Sequence, residues 1–212
     1  MENINPNSDK QFQFKDTNAT LPWPWKRLVD FARHPGLEHP SRDATQEQRY
    51  TSYKKWCSEN DLTNADYIRK FVAWHPVYDI GLEPCLVPYY LESDVKHFIL
   101  WFNDRSWSNS GFTPMKPTLC QDEFGNVLSE SDFIWRMIQI FIPSYQNRSK
   151  KEDHEKEIIW YENHPDWKSI PAIRHLHVFF RANDANANVM KDLEEIETAW
   201  ISRSVFLKSE VV

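Results

Sequence analysis

Glycine is nearly absent from this chain: there are four in 212 residues, where average usage of about 7% would place roughly fifteen. No Gly-x-Gly-x-x-Gly or Gly-x-x-x-x-Gly-Lys stretch exists. That removes the dinucleotide-binding and P-loop readings, which need glycine for close backbone approach to phosphate. Cysteine is scarce as well. Cys57, Cys85 and Cys120 are widely spaced with no Cys-x-x-Cys pair, a pattern that fits free thiols in a reducing compartment, each a small buried hydrophobe. No apolar run approaches the ~20 residues of a membrane helix, and residues 1–20 lack the apolar core of a signal peptide. Excess positive charge is also missing. A net charge of −6 and a pI near 5.8 argue against a broad nucleic-acid surface. The expectation is a protein of the cytoplasm, or also of the nucleus, without a membrane partner.

Aromatic residues are plentiful, at 15% of the chain with ten tryptophans. Each such side chain buries about 150–250 Å², so the chain holds material for a substantial core. Residues 1–20 are polar and read as a disordered leader. Residues 21–212 read as one domain, with a helical part at 23–75, a sheet-containing part at 76–182 and a C-terminal helix at 188–208.

The helical part carries apolar stripes at 23–33 (Trp25, Leu28, Val29, Ala32), at 45–59 (Tyr50, Tyr53, Trp56, Cys57) and from 63 (Tyr67, Ile68, Phe71, Val72). Pro24 suits a first helical turn, and Thr63-x-x-Asp66 reads as an N-cap with an acidic first turn. The two His-Pro pairs between 34 and 41 read as turn punctuation. Residues 78–88 are extended and interrupted by proline, and 95–102 reads as a buried strand. Residues 112–120 read as a loop and 121–127 as a turn. A helix capped by Ser129, with Asp132 three residues on, then runs to Pro143. The charge run 150–157 reads as a solvated loop, and 158–161 as a short strand. The long C-terminal helix presents Met190, Leu193, Trp200 and Ile201. This order predicts an α+β fold: N-terminal helices, a small antiparallel sheet with an inserted helix, and a long C-terminal helix.

The richest stretch is 169–181, read as a strand at 173–180. Side chains alternate along a strand, so Ile173, His175, His177 and Phe179 share one face. Two imidazoles about 6–7 Å apart on one strand face can share a ligand or a metal. They make His175 and His177 the leading candidates for catalysis, and the residues name no cofactor.

Five segments then occur in order: Trp25-x-x-Leu28-Val29, Tyr53-x-x-Trp56, Tyr67-Ile68 with Trp74, Pro88-Tyr-Tyr-Leu-Glu-x-x-Val-Lys-His97-Phe-Ile-Leu-Trp101, and Ile173-x-His175-x-His177-Val178-Phe179. Together they resemble the fungal N-acetylglucosamine-induced protein family over roughly residues 23–182. The family is catalogued for most members as a domain of unknown function. The resemblance implies a cytosolic protein linked to an amino-sugar response, and it names no mechanism.

Three functional readings remain open. The first is a non-enzymatic module that binds a small ligand or a protein, with its histidines structural. Trp107, Trp160 or Trp167 could then supply a stacking face for a sugar or nucleotide. The second is an enzyme distantly similar to the histidine-triad nucleotide hydrolases and transferases. There His177 would be the nucleophile beside His175, since an imidazole can attack and then leave a phosphate. Lys96 and Arg181 would balance phosphate charge, and Tyr89 and His97 would line the site. Phe179 occupies the place of that family's third histidine. The third is a metal-dependent hydrolase with His97, His175 and His177 around an open position, supported by no accompanying carboxylate motif. His154 and His164, beside a charge run and a turn, are not expected to be ligands.

Overall fold

The structure is a computed structural model. It describes residues 19–34, 39–103, 119–121, 127–146, 148, 156–163 and 168–210. Three helices open it: α1 Trp25–Arg33, α2 Ala44–Glu59 and α3 Asn64–Phe71. Helix α1 starts two residues later than its stripe predicts, because Pro24 is its N-cap. With no capping side chain there, the Trp25 amide donates instead to the Glu92 carboxylate, 2.8 Å away and 67 residues on. Asp43 caps α2 by accepting from the Gln46 amide. The expected Thr63 cap forms a full capping box with Asp66.

Four strands form one antiparallel sheet in the order β1-β2-β6-β5: β1 Ile80–Pro84, β2 Val95–Phe102, β5 Ile158–Tyr161 and β6 Arg174–Arg181. Between β2 and β5 lie a small hairpin, β3 Leu119–Gln121 with β4 Val127–Ser129, and helix α4 Glu130–Phe141. The sequence reading put a loop and a turn here. Three-residue strands are too short to show alternation, and only their pairing defines them. Ser129 caps α4 by accepting from the Asp132 amide, as its spacing predicts.

The C-terminal helix does not run unbroken from 188 to 208. It divides into α5 Ala187–Arg203 and α6 Val205–Glu210 at Ser204, whose ψ of 110° is extended. The buried Ser204 hydroxyl bonds the Tyr67 hydroxyl at 2.9 Å, so a tertiary contact outweighs the helical periodicity. Met190 and Leu193 pack as expected, whereas Ile201 is exposed. Residues 1–18 of the expected leader and most of the charge run lie outside the described residues. Ala19, at the leader's end, donates its amide to the Arg42 carbonyl. No helix among the described residues is long and apolar enough to cross a membrane.

The sheet divides the core. On one face Ile80, Leu82, Phe98, Leu100, Leu176, Val178 and Phe180 pack with residues of α4 and α5. The opposite face bears two clusters. Ile99 and Trp101 pack with residues of α2, α3 and α6, and Ile159, Tyr161 and Phe179 pack with α1 and Tyr89. Gly81 allows the close approach of the chain that follows α3. A Cβ there would lie 2.3 Å from Val72 Cγ1 and 3.3 Å from the Ala73 carbonyl. Where the chain needs a positive φ elsewhere it uses Asp61 and Asp79, at 54° and 55°, a residue type that tolerates the left-handed region.

Candidate functional site

Strand pairing places every buried histidine of the sheet on the second face. His97 lies opposite Phe179, Ile99 opposite His177, and Trp101 opposite His175. On the flanking strands, Glu83 lies opposite Ile99 and Tyr161 opposite His177. The expected alternation of β6 therefore holds, and His97 does share the face of the pair.

The three histidines do not converge. His97 Nε2 and His177 Nδ1 are hydrogen-bonded at 2.9 Å, and the contact belongs to a longer chain whose proton direction can be read from its ends. The Tyr89 amide donates to His97 Nδ1 at 3.3 Å, so the neutral His97 carries its proton on Nε2 and donates to His177 Nδ1. His177 must then donate from Nε2. At the far end His39 Nδ1 lies 2.7 Å from the Pro40 carbonyl and must be the donor, which leaves His39 Nε2 an acceptor. Asn163 joins the two halves, its amide nitrogen 2.9 Å from His177 Nε2 and its oxygen 2.9 Å from His39 Nε2. Both ends require the reverse assignment of that amide, and a 180° rotation supplies it without moving the chain. The result is a fully satisfied relay of neutral groups, Tyr89–His97–His177–Asn163–His39–Pro40. Burial pushes the imidazoles of His97 and His177 well below the usual histidine range and lowers that of His39.

This arrangement bears on both enzymatic readings. The His177 ring is sandwiched between Tyr89 and Tyr161, with centroids 5.3 Å away on each side, and both its nitrogens are engaged. It offers no lone pair to a phosphorus atom. His97 has none for a metal either, and among the described residues no group of three or more His, Cys, Asp or Glu side chains is arranged to hold an ion. Lys96 points to the apolar side of the sheet and pairs with Glu197 at 2.6 Å. Arg181 pairs with Asp94 at 2.9 Å at the strand end. Neither cation reaches the histidines. Tyr89 does, as part of the relay.

His175 is outside this relay, although its ring centroid is 5.8 Å from that of His177 and both rings line one cavity. Its Nδ1–H donates to the Ile173 carbonyl at 2.8 Å, and its ring leans on Trp101 with centroids 4.9 Å apart. Its Nε2 is therefore an acceptor, and it has no hydrogen-bond partner among the described residues. Burial lowers its pKa, so that lone pair is kept. His175 lines a cavity of about 100 Å³ between the sheet and helices α2, α3 and α5. Ile99 and Trp101 form the floor, the aromatic rings of Tyr53, Tyr67 and Trp200 stand in the walls, and the exposed Ser169 marks an opening.

Glu83 is the cavity's acidic wall residue, and it is 2% exposed. Its Oε1 accepts from the Ala73 amide and from Arg203, each at 2.9 Å. Its Oε2 is buried without a partner, as is the Tyr53 hydroxyl. Burial raises the Glu83 carboxyl above its usual range even with Arg203 beside it. Burial pushes the thiol of Cys85, also on the wall, up to about 11, which disfavours the reactive thiolate.

Glu83, Asn163 and His39 escape sequence reasoning. Glu83 sits where Ile80 and Leu82 alternate with Gly81 and Glu83, a pattern that normally puts the charge in solvent. Only helical cover on both faces buries it. His39 looks like turn punctuation, and Asn163 carries no motif. Of the three tryptophans suggested as stacking faces, Trp107 and Trp167 lie outside the described residues. Trp160 packs against the apolar cluster, and the cavity uses Trp101 and Trp200 instead.

No curated protein matches the chain. A solved structure described as the crystal structure of HTC1 is similar at 14% identity, covering 84% of this chain and 96% of that one with a TM-score of 0.47. The segment that holds α1, the whole sheet, the relay and most of the cavity is also the segment that identifies the chain: residues 24–181 match the family described as a protein of unknown function (DUF3605), and the chain belongs to that family.

Proposed function

We propose that this protein is a small-ligand-binding regulatory module, and not a histidine-nucleophile or metal-dependent enzyme. One observation carries the reading: the cavity joins aromatic walls to the buried, unpartnered Glu83 Oε2 and to His175, whose Nδ1 alone is bonded within the protein. Such apolar hollows with a few convergent polar groups are the usual form of ligand sites. The resemblance to the N-acetylglucosamine-induced family supplies the setting, a role in the response to amino sugar in a fungal cytoplasm or nucleus. At about 100 Å³ the space lies below the ~300–1,000 Å³ of drug-sized pockets. The occupant is a small molecule or one end of a larger one.

A thermal-shift screen of the wild type and His175→Phe tests this, with N-acetylglucosamine, sugar phosphates, nucleotides, small polar metabolites and divalent metals. A ligand at 100 times its Kd stabilises by about 2.7 kcal/mol, a shift of a few degrees. The expected result is a shift with one class that disappears in His175→Phe, which keeps the ring against Trp101 and removes the acceptor. A flat screen overturns the reading. A nucleotide shift that depends on His177 and not His175 would restore the histidine-triad alternative.

A further inference from the structure

We propose that the ligand of this cavity presents a protonated amine to Glu83 Oε2, against the faces of the surrounding aromatic rings. The inference rests on the ligand-binding reading and names the chemistry of its occupant. It follows from a census of what the wall offers. Glu83 Oε2 and His175 Nε2 are acceptors without partners. The Tyr67 and Ser204 hydroxyls are bonded to each other. Arg42, the other charged wall residue, gives its Nε–H to the Val87 carbonyl, lies 3.5 Å from Glu47 and stacks over Tyr50. The Tyr53 hydroxyl is buried in the wall without a partner and can donate or accept, and the indole N–H groups of Trp101 and Trp200 are further wall donors. Glu83 is the charged wall residue that keeps a buried atom without a partner.

That free carboxylate oxygen separates the ligand classes. An anion would set like charge beside a buried carboxylate. A polyol can give the carboxylate a neutral hydrogen bond but no charge, and charge-assisted bonds are the stronger. An ammonium group is donor only, with three N–H bonds on one compact atom. It also supplies positive charge to a desolvated carboxylate that Arg203 reaches through Oε1 alone. The rings of Tyr53, Tyr67, Trp101 and Trp200 add faces that attract a cation. The volume agrees: about 100 Å³ is less than the ~150 Å³ cavity that takes one benzene, so the inserted part has roughly half a dozen heavy atoms or fewer.

Four probes of similar reach test the idea on the full chain at pH 7.5: n-butylammonium, 1-butanol, erythritol and butyrate. Binding is read by calorimetry and by the indole N–H signals of Trp101 and Trp200. The expected result is that butylammonium binds at least tenfold more tightly than the other three and that Glu83→Gln removes this advantage. Because Glu83→Gln also strands Arg203, a second variant acts in the opposite direction. Arg203→Met removes the competing cation and should tighten butylammonium severalfold. Equal binding of butylammonium by wild type and both variants overturns the proposal. So does tighter binding of butanol, erythritol or butyrate at the same indole signals, although that outcome leaves the ligand-binding reading standing. No response to butylammonium overturns the amine, while the ligand-binding reading is judged separately by the wider screen with His175→Phe.

Discussion

On one face of the central sheet, Ile80, Leu82, Phe98, Leu100, Leu176, Val178 and Phe180 meet the residues of α4 and α5 in an apolar cluster, with the partly exposed Lys96–Glu197 and Arg174–Glu130 ion pairs on the same side. On the other face, Glu83, His97, His175 and His177 are buried just as deeply. Burial alone therefore does not distinguish the two sides. Hydrogen-bond accounting does, and it also divides the polar face. His97 and His177 spend every nitrogen on the relay, which ties β2 and β6 to the segments that carry His39 and Asn163. His175 and Glu83 keep a lone pair each at the cavity. A buried polar group with all its partners specifies a fold, whereas one with a partner missing points to a ligand.

The contrast can be broken first on the apolar side. Phe98 is fully buried, with its ring edge-on to Phe180 at 5.5 Å. Phe98→Ala should cost about 3–5 kcal/mol in urea unfolding, the largest effect here, while the indole signals of Trp101 and Trp200 keep their response to ligand. A cost under 1 kcal/mol would mean that this face is not the stabilising one. On the polar side, His177→Phe keeps a flat ring between Tyr89 and Tyr161 but strands the His97 and Asn163 groups that faced it. Each stranded group costs about 1–3 kcal/mol, so a loss of at least about 2 kcal/mol is expected. His175→Phe strands only the Ile173 carbonyl and should cost about 1 kcal/mol. If the two variants unfold at the same urea concentration, the division of this face into relay and cavity fails.

The apolar face was the more legible in the sequence, for a physical reason. The runs at 95–102 and 158–161 are short, rich in branched and aromatic side chains and bounded by turn residues, and both stand as strands at those limits. The alternation around His175 and His177 put those side chains on their common face, and the Thr63 and Ser129 caps were visible from spacing alone. The relay was not legible, because its members come from residues 39, 89, 97, 163 and 177, and only strand pairing brings them together. The break at Ser204 and the burial of Glu83 were hidden for the same reason. Each depends on a partner far along the chain, Tyr67 in one case and Arg203 in the other. His175 and His177 both line the cavity, yet they differ in which nitrogens are engaged, and proximity along a strand does not show that difference.

The response to pH also separates the two faces, because the buried histidines of the sheet all lie on one of them. Unfolded histidines titrate near 6.5, while burial holds His97 and His177 well below that value and lowers His39 and His175 as well. As pH falls through 6.5 the unfolded chain takes up protons that the folded chain refuses, so stability is lost on acidification. Each histidine kept neutral contributes a loss of roughly 1 kcal/mol between pH 7 and pH 5.5. Glu83 acts in the opposite sense: its raised carboxyl lets the folded state hold a proton the unfolded chain has lost, so it recovers some stability as pH falls. One carboxyl against four imidazoles leaves a net loss, carried mainly by His97 and His177 and measurable as a falling urea midpoint at constant slope. The loss should shrink in His177→Phe, which removes one of the two most depressed groups, and should be unchanged in Phe98→Ala apart from its lower starting point. Stability that stays level from pH 7 to pH 5.5 would mean that the relay accepts protons in place, and its assignment as a chain of neutral groups would fall.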